Sequence, residues 1–539
     1  MTSSPQLLSN PFLQLPTANS IRVVWFTEFA GTQHLVSYGE NLQQKVVAKT
    51  KQLSRLREDQ NSRVGEQTTE AQIYQSPTLR PIWRHEAEVT GLNSNRRLPY
   101  CVTSFREDGE SISSDIFTLA PTPTANTSLK ILLTSDHQLK PMVAANLQKV
   151  VETIGRVDAV WFAGDLVNVP DRASEWFDDN RGNAFFPCLQ GYASYRMTYD
   201  DMKITYTGGE IIQHAPLFPC IGNHEVMGRY GRKGSLNAEI FDSIPRQAAR
   251  QLYGDDLLKE NYFNRDTYEE IFTLPESKTG GKTYYAVSFG DVRLVVLYVA
   301  NMWRFPSLDS GRQGKYGEPE SILNQPEEWG YGQHIFEPIA KGSEQYNWLV
   351  EELNSFEFQQ AKYKVVMFHH PAHTLGDNIV PAYTDPVQII ERNQDGIIQS
   401  VGYEYPKSSD YITRDVIPLL ETAGVQLVIF GHSHLWNRFV SSSGMYFLET
   451  SNVGNSYGAA YGDRKRDNLP DWESEDYSEI ADPYNLEPTV PNIAPLQGID
   501  GKDLPYIASN EITVFSIFDT GTGTIASYRF DTRNPQNPV

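Results

Sequence analysis

Five short polar segments constrain this 539-residue chain more than any other feature, because each one follows an apolar run rich in β-branched residues. In chain order the segments are SDHQ (135–138), GD (164–165), GNHE (222–225), HHP (369–371) and GHSH (431–434). The preceding runs, ILLTS, VWFAG, LFPCIG, YKVVMF and VQLVIF, are typical of buried strands. Loops just past the carboxyl ends of strands are where open α/β sheets hold their sites. The pattern therefore predicts an α/β fold in which five loops build one polar site.

The side chains in these segments are carboxylates, amides and imidazoles, and they include no thiol. Oxygen and imidazole ligands without thiolates suit Zn, Mn or Fe. Pairs of such ions clamp a phosphoryl group between them. The composition of the loops therefore predicts a two-metal site and a metal-dependent phosphoesterase.

The order and wording of the segments resemble the calcineurin-like metallophosphoesterase superfamily, whose pattern runs D-x-H (or D alone), GD, GNH[DE], H and GHxH. Four of the five segments match this pattern and the first departs from it. The resemblance implies a four-layer α/β/β/α sandwich with two divalent ions (Mn, Fe or Zn) at the sheet edge. It also implies hydrolysis of phosphomonoesters, in which a metal-bound hydroxide attacks phosphorus. A phosphodiesterase on the same metal core, or a non-catalytic binding or scaffold descendant of the fold, is the alternative.

The resemblance also implies a role for each matching residue. The metal ligands it implies are Asp136 and His434 at the first metal, Asn223, His369 and His432 at the second, and Asp165 as the carboxylate that bridges both. His224 corresponds to the histidine of the family that binds no metal. That residue contacts the phosphoryl group and can protonate the leaving oxygen, which is ordinary work for an imidazole.

Two positions depart from the family pattern. Where D-x-H members place a histidine, this chain has Gln138, whose amide oxygen is a poorer metal ligand. The adjacent His137 points the opposite way if the segment is extended, so it is not expected to substitute. The purple acid phosphatase branch supplies a tyrosine three residues after the bridging aspartate, and here that position is Asn168. The first metal therefore has either Gln138 or no replacement ligand.

The remaining polar residues near the segments leave alternatives open. His369 and His370 compete for one ligand role, and the H-x-P spacing of the family favours His369. His370 is then a pocket-wall or solvated residue, and His373 is expected to be a loop histidine. Glu225 is either a hydrogen-bonding partner near the site or a solvated loop acid.

Residues 1–120 are predicted to form an all-β sandwich, because short β-rich runs alternate there with turn residues. The runs at 21–27, 34–39 and 87–92 resemble the fibronectin-like domain that precedes the catalytic domain in purple acid phosphatases. The polar stretch 41–81 is expected to hold an insertion or a mobile loop. Residues 121–128, PTPTANTS, are interpreted as a linker, and 129–539 as the metallophosphoesterase domain.

Strands and helices alternate after residue 129. The spacing predicts helices over 141–155, 344–358 and 414–424, a hairpin over 284–300 and a final strand pair over 511–518 and 524–530. Three long insertions, 170–214, 377–411 and 455–509, adjoin the polar segments and are favoured as lids or specificity walls over inert surface. Within the first, Trp176, Phe185 and Phe186 either stack on an aromatic leaving group or pack their own loop.

The net charge of −21 argues against a nucleic-acid surface, which would need basic stripes. The expected partner is a small phosphorylated substrate, with no nucleic acid and no membrane, because no apolar run approaches the roughly 20 residues that span a bilayer. The N-terminus lacks the pattern of a signal peptide, and three cysteines are too few for a disulfide framework. A cytoplasmic location is therefore expected. The oligomeric state is left open.

Overall fold

The computed structural model describes residues 7–536 apart from residues 66, 68–71, 95, 200–201, 257, 303–314, 465, 467–468 and 471–485. The described residues before 120 form short strands joined by turns. These strands are β1 (Phe12–Gln14), β2 (Ser20–Thr27), β3 (Gln33–Tyr38), β4 (Gln44–Val47), β5 (Lys49–Gln52), β6 (Arg57–Glu58), β7 (Thr78–Leu79), β8 (Trp83–Thr90), β9 (Leu98–Phe105), β10 (Ser111–Ser113) and β11 (Phe117–Leu119).

Most of these strands form two antiparallel sheets. One has the order β1-β2-β8-β5, and the other has the order β10-β9-β3-β4 with β11 also paired to β9. Trp25 and Val23 of β2, Val36 of β3 and Val102 of β9 share one small core. Alternate residues of β8 and β9 are buried, as expected when one face of a sheet is packed. The predicted β-rich N-terminal region is confirmed, while the fibronectin-like resemblance and the domain boundaries stay predictions.

The stretch 41–81 was expected to hold an insertion or a mobile loop, and its described residues are fixed to the rest of the protein by buried ion pairs. Residues 66 and 68–71 lie outside the described part. Arg57 forms ion pairs with Asp171 at 2.8 Å and Glu239 at 2.7 Å. Asp59 accepts a hydrogen bond from Arg172 at 3.0 Å. All of these side chains are buried, so the polar composition of the stretch reflects paired charges inside the protein.

Strands and helices are interspersed from residue 130 to α9, and the described residues after α9 form strands. The elements are β12 (Lys130–Thr134), α1 (Val143–Ile154), β13 (Ala159–Phe162), α2 (Ala173–Phe177), α3 (Phe185–Gln190), β14 (Tyr195–Tyr199), β15 (Met202–Tyr206), β16 (Leu217–Pro219), α4 (Leu236–Glu239), α5 (Arg246–Tyr253), α6 (Asp266–Ile271), β17 (Tyr285–Phe289), β18 (Val292–Val296), α7 (Glu344–Leu353), α8 (Phe356–Gln360), β19 (Tyr363–Met367), β20 (Val387–Arg392), β21 (Ile398–Glu404), α9 (Ile417–Thr422), β22 (Leu427–Phe430), β23 (Trp436–Val440), β24 (Tyr446–Thr450), β25 (Glu487–Pro488), β26 (Tyr506–Ile507), β27 (Ile512–Asp519) and β28 (Thr524–Asp531). Single 3-10 turns lie at Asn223–Glu225, Lys259–Asn261, Glu320–Ile322, Pro326–Glu328 and Lys407–Ser409, and a π turn at Ile412–Val416 leads into α9.

Two large mixed sheets carry the five polar segments. The first has the order β16-β13-β12-β27-β28, in which β12, β13 and β16 are parallel. The second has the order β17-β18-β19-β22-β24-β23-β25, with β26 also on β23, and β18, β19, β22 and β24 are parallel. Because parallel strands end at the same edge of their sheet, the loops after β12, β13 and β16 converge, as do those after β19 and β22.

Alternate residues of the second sheet face two different cores. Val365 and Met367 of β19 join the core shared with the first sheet, whereas Val366 packs with Leu349 of α7 and Leu420 of α9. Successive strand residues point to opposite faces, so both faces of this sheet are covered. This explains why the runs before the fourth and fifth polar segments are continuously apolar instead of alternating.

The predicted helix over 141–155, the hairpin over 284–300 and the final strand pair are confirmed as α1, β17–β18 and β27–β28. The predicted helix over 344–358 is two helices, because Ser355 interrupts the first and caps α8 by accepting from the Phe358 N–H. The predicted helix over 414–424 begins in the π turn and continues as α9. No helix within the described ranges has the length and apolar character needed to cross a membrane.

The insertion at 170–214 folds inward. Trp176, Phe185 and Phe186 are at most 2% exposed and pack around Phe12 and Phe26 of the N-terminal strands. Of the two alternatives for these aromatic residues, packing is therefore the correct one. The insertion at 377–411 contains the β20–β21 hairpin, and part of 455–509 lies outside the described residues.

Candidate metal centre

The two acidic residues of the candidate site lie directly after neighbouring parallel strands. Asp136 follows β12 and Asp165 follows β13, and both are at most 1% exposed. The carboxylate of Asp136 accepts a hydrogen bond from the backbone N–H of His432 at 3.0 Å and lies 3.5 Å from His434 Nε2. The two sheets therefore meet at Asp136, since its loop belongs to the first sheet and both histidines belong to the second.

The side chains expected at the second metal converge on one atom, His369 Nε2. That nitrogen lies 3.2 Å from each of three atoms: Asp165 Oδ2, Asn223 Oδ1 and His432 Nδ1. The opposite ring nitrogen, Nδ1, lies 2.8 Å from the carbonyl oxygen of Ala163. Metal-binding histidines are commonly oriented in this way, with one nitrogen held by a backbone carbonyl and the other facing the ion.

His434 is oriented in the same manner on the other side of the site. Its Nδ1 lies 3.0 Å from the carbonyl oxygen of Asn455, which leaves Nε2 facing Asp136. The ring of Tyr457 stacks on the His434 imidazole with the centroids 4.8 Å apart. Both predicted groups of metal ligands are thus assembled around the two aspartates.

The charge state of the site reflects this packing. Burial by itself would lower the pKa of His369, but the adjacent Asp165 carboxylate raises it to about 10. Burial would raise the pKa of Asp165, but His369 and His224 hold it below its usual range. The negative charge of the carboxylates thus stabilises a proton on His369, and the same negative charge would attract a metal cation.

Four candidate ligands have a left-handed backbone conformation, which residues other than glycine rarely adopt. The φ angles are 55° at Asp136, 60° at Asp165, 80° at His432 and 55° at His434. Such left-handed residues cost of order 1–3 kcal/mol each and concentrate at functional sites. The neighbouring glycines of the segments are explained by close approach, because a Cβ at Gly431 would collide with the Asp136 carboxylate.

Gln138 lies inside the site. Its Nε2 donates to Asp165 Oδ2 at 2.7 Å, and its own φ of 39° turns the chain toward that carboxylate. The neighbouring His137 points away, as expected: its Nε2 bonds to the Thr134 hydroxyl and its ring packs edge-on against Phe162. Of the two residues, only Gln138 reaches the aspartates.

His224 lies on the loop after β16 and is hydrogen-bonded to the loop that carries Asp165. Its backbone N–H donates to Asp165 Oδ1 at 2.9 Å, and its ring Nδ1 lies 2.6 Å from the carbonyl oxygen of Asn168. Because a carbonyl only accepts, Nδ1 carries the proton of that bond and Nε2 is the nitrogen free to exchange one. The Asn168 side chain donates to the Gln138 carbonyl oxygen at 2.8 Å, which places this residue between loops and away from the ligand atoms.

Two buried glutamates hold the loops in place. Glu225 accepts hydrogen bonds from the backbone N–H groups of Gly222, Asp165 and Leu166, so of its two expected roles the hydrogen-bonding one is correct. Glu449 accepts from Ser433 and was not identified from the sequence. A single acid inside the apolar strand YFLET was the available signal. Burial raises the pKa of each glutamate, and the hydrogen bonds that each one accepts oppose this by lowering the pKa.

His370 belongs to the fourth segment, and His373 follows it by three positions. His370 lies beside the site, as a wall residue would, and its ring stacks on His432 with centroids 3.9 Å apart. His373 lies in a loop, as expected, but it is fully buried there and its ring stacks on Phe439 with the centroids 4.4 Å apart. The apolar neighbours from β22 and β23 enclose it, and burial lowers its pKa to about 3.

The donor set fits metal ions. One atom each from Asp136, Asp165 and His369 lies within 4.8 Å of the others, and the same holds for His369, His370 and His432. In addition, His432 Nε2 is buried and has no hydrogen-bond partner among the described residues. Carboxylate, imidazole and amide donors in one cluster suit Zn, Mn or Fe and do not favour Cu(I).

The sequence pattern of the calcineurin-like phosphoesterases matches residues 129–436, which is more than half of the chain. The chain belongs to this family. The resemblance seen in the five segments is thereby confirmed. Within this family, Gln138 stands where D-x-H members have a histidine, and Asn168 stands where the purple acid phosphatase branch has a tyrosine.

Two solved structures resemble this calcineurin-like phosphoesterase over nearly its whole length. The purple acid phosphatase PPD1 from yellow lupin (Lupinus luteus) seeds is 14% identical, and the match covers 98% of this chain and 75% of that chain with a TM-score of 0.50. The structure of PhoD is 12% identical, covering 99% and 91%, with a TM-score of 0.44. The first likeness concerns the fold alone, and the second carries no argument. A search of curated proteins finds no matching sequence.

Proposed function

We propose that this calcineurin-like phosphoesterase is a binuclear metal-dependent phosphatase that hydrolyses phosphomonoesters. One observation carries the proposal. Asp165, Asn223 and His432 all lie 3.2 Å from His369 Nε2, while His434 faces Asp136 beside them. A cluster of this kind has no structural purpose that apolar packing would not serve better, since buried polar groups are costly unless paired.

The residues would hold two divalent ions of Mn, Fe or Zn. The ligands assigned by the proposal are Asp136, His434 and Gln138 at the first ion, Asn223, His369 and His432 at the second, and Asp165 between them. The ions, when bound, would neutralise phosphoryl charge and act as Lewis acids. Rotating the amide of Gln138 by half a turn would present its oxygen instead of its nitrogen, so this residue can serve as a weak ligand.

His224 acts on the leaving group in this proposal. Its Nδ1 is held by the Asn168 carbonyl, and its backbone is held by Asp165. The ring is thereby oriented, and Nε2 can give a proton to the departing oxygen, which lowers the barrier most for alkoxides that are poor leaving groups. The half-buried state of His224 keeps that nitrogen accessible to a substrate.

The proposal extends to the architecture and the partners. The two covered faces of the second sheet support a four-layer α/β/β/α arrangement, and the paired antiparallel sheets of the N-terminal region support a fibronectin-like domain over 1–120. The partner is a small phosphorylated substrate, and neither nucleic acid nor membrane is expected with a net charge of −21. A cytoplasmic location stays a prediction.

The test is turnover of 4-nitrophenyl phosphate beside bis(4-nitrophenyl) phosphate by protein reconstituted separately with Mn, Fe and Zn. Wild type should hydrolyse the monoester faster, and Asp165→Asn should lose this activity. Asp395→Asn, a matched change at an exposed hairpin tip, should retain it. Faster diester hydrolysis would replace the phosphatase by a phosphodiesterase. Stoichiometric metal binding with no turnover of either ester would identify a binding protein.

A further inference from the structure

A second cavity lies between the two large sheets at the end opposite the candidate metal centre. Its volume is about 690 Å³. It is lined by the first residues of β19 and β22 and by the turn before β24, whereas His369 and His432 follow the last residues of β19 and β22. The whole length of the parallel strands therefore separates the two sites.

The walls of this cavity come from both sheets, and apolar side chains line them together with polar ones such as Gln426 and Thr524. Trp436 and Leu448 contribute from the second sheet, and Phe518 and Ile525 from the first. The first three belong to the core shared by the sheets, so the cavity is an open continuation of that core. A volume of 300–1,000 Å³ with apolar walls and few polar groups is typical of sites for small organic molecules.

Arg438 is the unusual residue of the cavity. It lies two positions after Trp436 on β23, so the two side chains point to the same face of the sheet, toward the first sheet. The intervening Asn437 points the other way, where it bonds to Glu449. An arginine thus occupies an inward position between two sheets, where apolar residues are the rule.

No carboxylate balances Arg438 within the described ranges of the chain. Its Nε is buried without a hydrogen-bond acceptor. Glu421 is the acid in the cavity wall, and its carboxylate accepts a hydrogen bond from the Ser443 hydroxyl at 2.7 Å. A guanidinium that is partly removed from water without a counter-charge is unfavourable, and it becomes favourable when an anion supplies the missing acceptors.

We propose that this cavity binds an amphipathic organic anion, in which a carboxylate, sulfonate or phosphate is joined to an aromatic or aliphatic body. The acidic group pairs with Arg438, and the body lies between Trp436, Phe518 and Ile525. The Trp436 indole is already held by its N–H bond to Ser527 at 3.0 Å, so its ring forms a fixed wall. This site is independent of the proposed hydrolysis at the metal centre.

The test uses two fluorescent probes that differ by one charge: 8-anilino-1-naphthalenesulfonate and its uncharged counterpart N-phenyl-1-naphthylamine. Arg438→Leu should weaken binding of the sulfonate about tenfold or more, because a charge-assisted hydrogen bond is lost, and should leave the uncharged probe within about twofold. Arg438→Lys should retain sulfonate binding. Arg196→Leu, a matched change at an exposed arginine on β14, should alter neither affinity.

A second variant and two competitors complete the experiment. Ile525→Trp fills the cavity and should abolish binding of both probes, while circular dichroism checks that each variant is folded. Decanoate and 1-naphthyl phosphate, added as competitors, distinguish an aliphatic carboxylate from an aryl phosphate, and displacement by either supports the proposal. Equal loss of both probes in Arg438→Leu, unchanged binding in Ile525→Trp, or displacement by neither competitor would overturn it.

Discussion

Glu225 and Glu449 perform the same task on opposite sheets of the molecule, but they do it with different partners. Glu225 joins the loops of the first sheet by accepting three hydrogen bonds, all from backbone N–H groups. Glu449 joins the last loop of the second sheet to its strands by accepting from one backbone N–H and from the side chains of Ser433, Ser451 and Asn437. Both carboxyl groups are fully buried.

The difference shows how tightly each half of the site depends on its glutamate. A backbone N–H can only donate, so the loops of the first sheet tolerate nothing but an acceptor at position 225. The hydroxyls around Glu449 can turn and accept, so the second sheet can adapt to a changed partner. The candidate carboxylate ligands and His224 therefore lie on the more rigidly specified half, and the candidate imidazole ligands lie on the more adaptable one.

The largest effect is expected at the carboxylate that is proposed to bind both ions. Asp165→Ala removes the carboxylate assigned to both ions and should lose both metals and all measurable turnover, whereas Asp136→Ala should lose mainly one metal. Elemental analysis of both purified variants measures this directly. Two metals retained in Asp165→Ala would remove its bridging role and leave the halves to bind metal independently.

A comparison of His224 with His370 tests whether the proton donor lies on a loop of the first sheet or of the second sheet. His224→Ala should keep its metals and lose about a hundredfold or more in turnover of an alkyl monoester. The loss should be much smaller for 4-nitrophenyl phosphate, because a nitrophenolate leaves without a proton. His370→Ala, on the second sheet, should show no such dependence on the leaving group. A leaving-group dependence in His370→Ala instead would move the proton donor to the other half.

The glutamates themselves can be compared by the same isosteric change. Glu225→Gln places an amide NH₂ against at least one backbone N–H, so unfolding in urea should show a loss on the order of 2–4 kcal/mol. Glu449→Gln should cost only about 1 kcal/mol, because the serine hydroxyls can accept from the new amide. Glu404→Gln, at an exposed position of β21, serves as the control. Equal losses at 225 and 449 would contradict the difference between the two sheets.

The smallest effect concerns buried groups outside both halves of the site. Burial, with the stacked ring of His34 3.5 Å away, lowers the pKa of His85 to about 2. Between pH 6.5 and that value the unfolded chain binds a proton that the folded chain does not. Stability is therefore complete above pH 6.5 and falls on acidification, by at most about 1.4 kcal/mol per pH unit for this group.

The measurement is urea unfolding at pH 7.5 and pH 5.0. His85→Gln should reduce the pH dependence, since an amide can still bond to the hydroxyls of Thr27 and Thr50 that His85 contacts, without titrating. A pH dependence as steep as that of the wild type would instead assign acid sensitivity to the metal-site loops and their carboxylates.

Much of the site was visible in the sequence because its information is local. Each ligand lies within a few residues of an apolar run, and strand periodicity shows where that run ends. The same argument predicted α1 and the β17–β18 hairpin. His137 points away from the site as predicted, although the segment is not extended, because Asp136 and Gln138 have φ angles of 55° and 39°.

What the sequence determined by itself is therefore the family and the strands that carry the candidate ligands. Only the tertiary structure decided which groups support them. Glu449 reaches Ser433 across 16 positions, and Asp59 reaches Arg172 across 113. The inward arginine at 438 is recognisable only once both sheets are in place. Local chemistry is encoded by neighbours in the chain, whereas burial and charge pairing depend on distances in space that no short segment specifies.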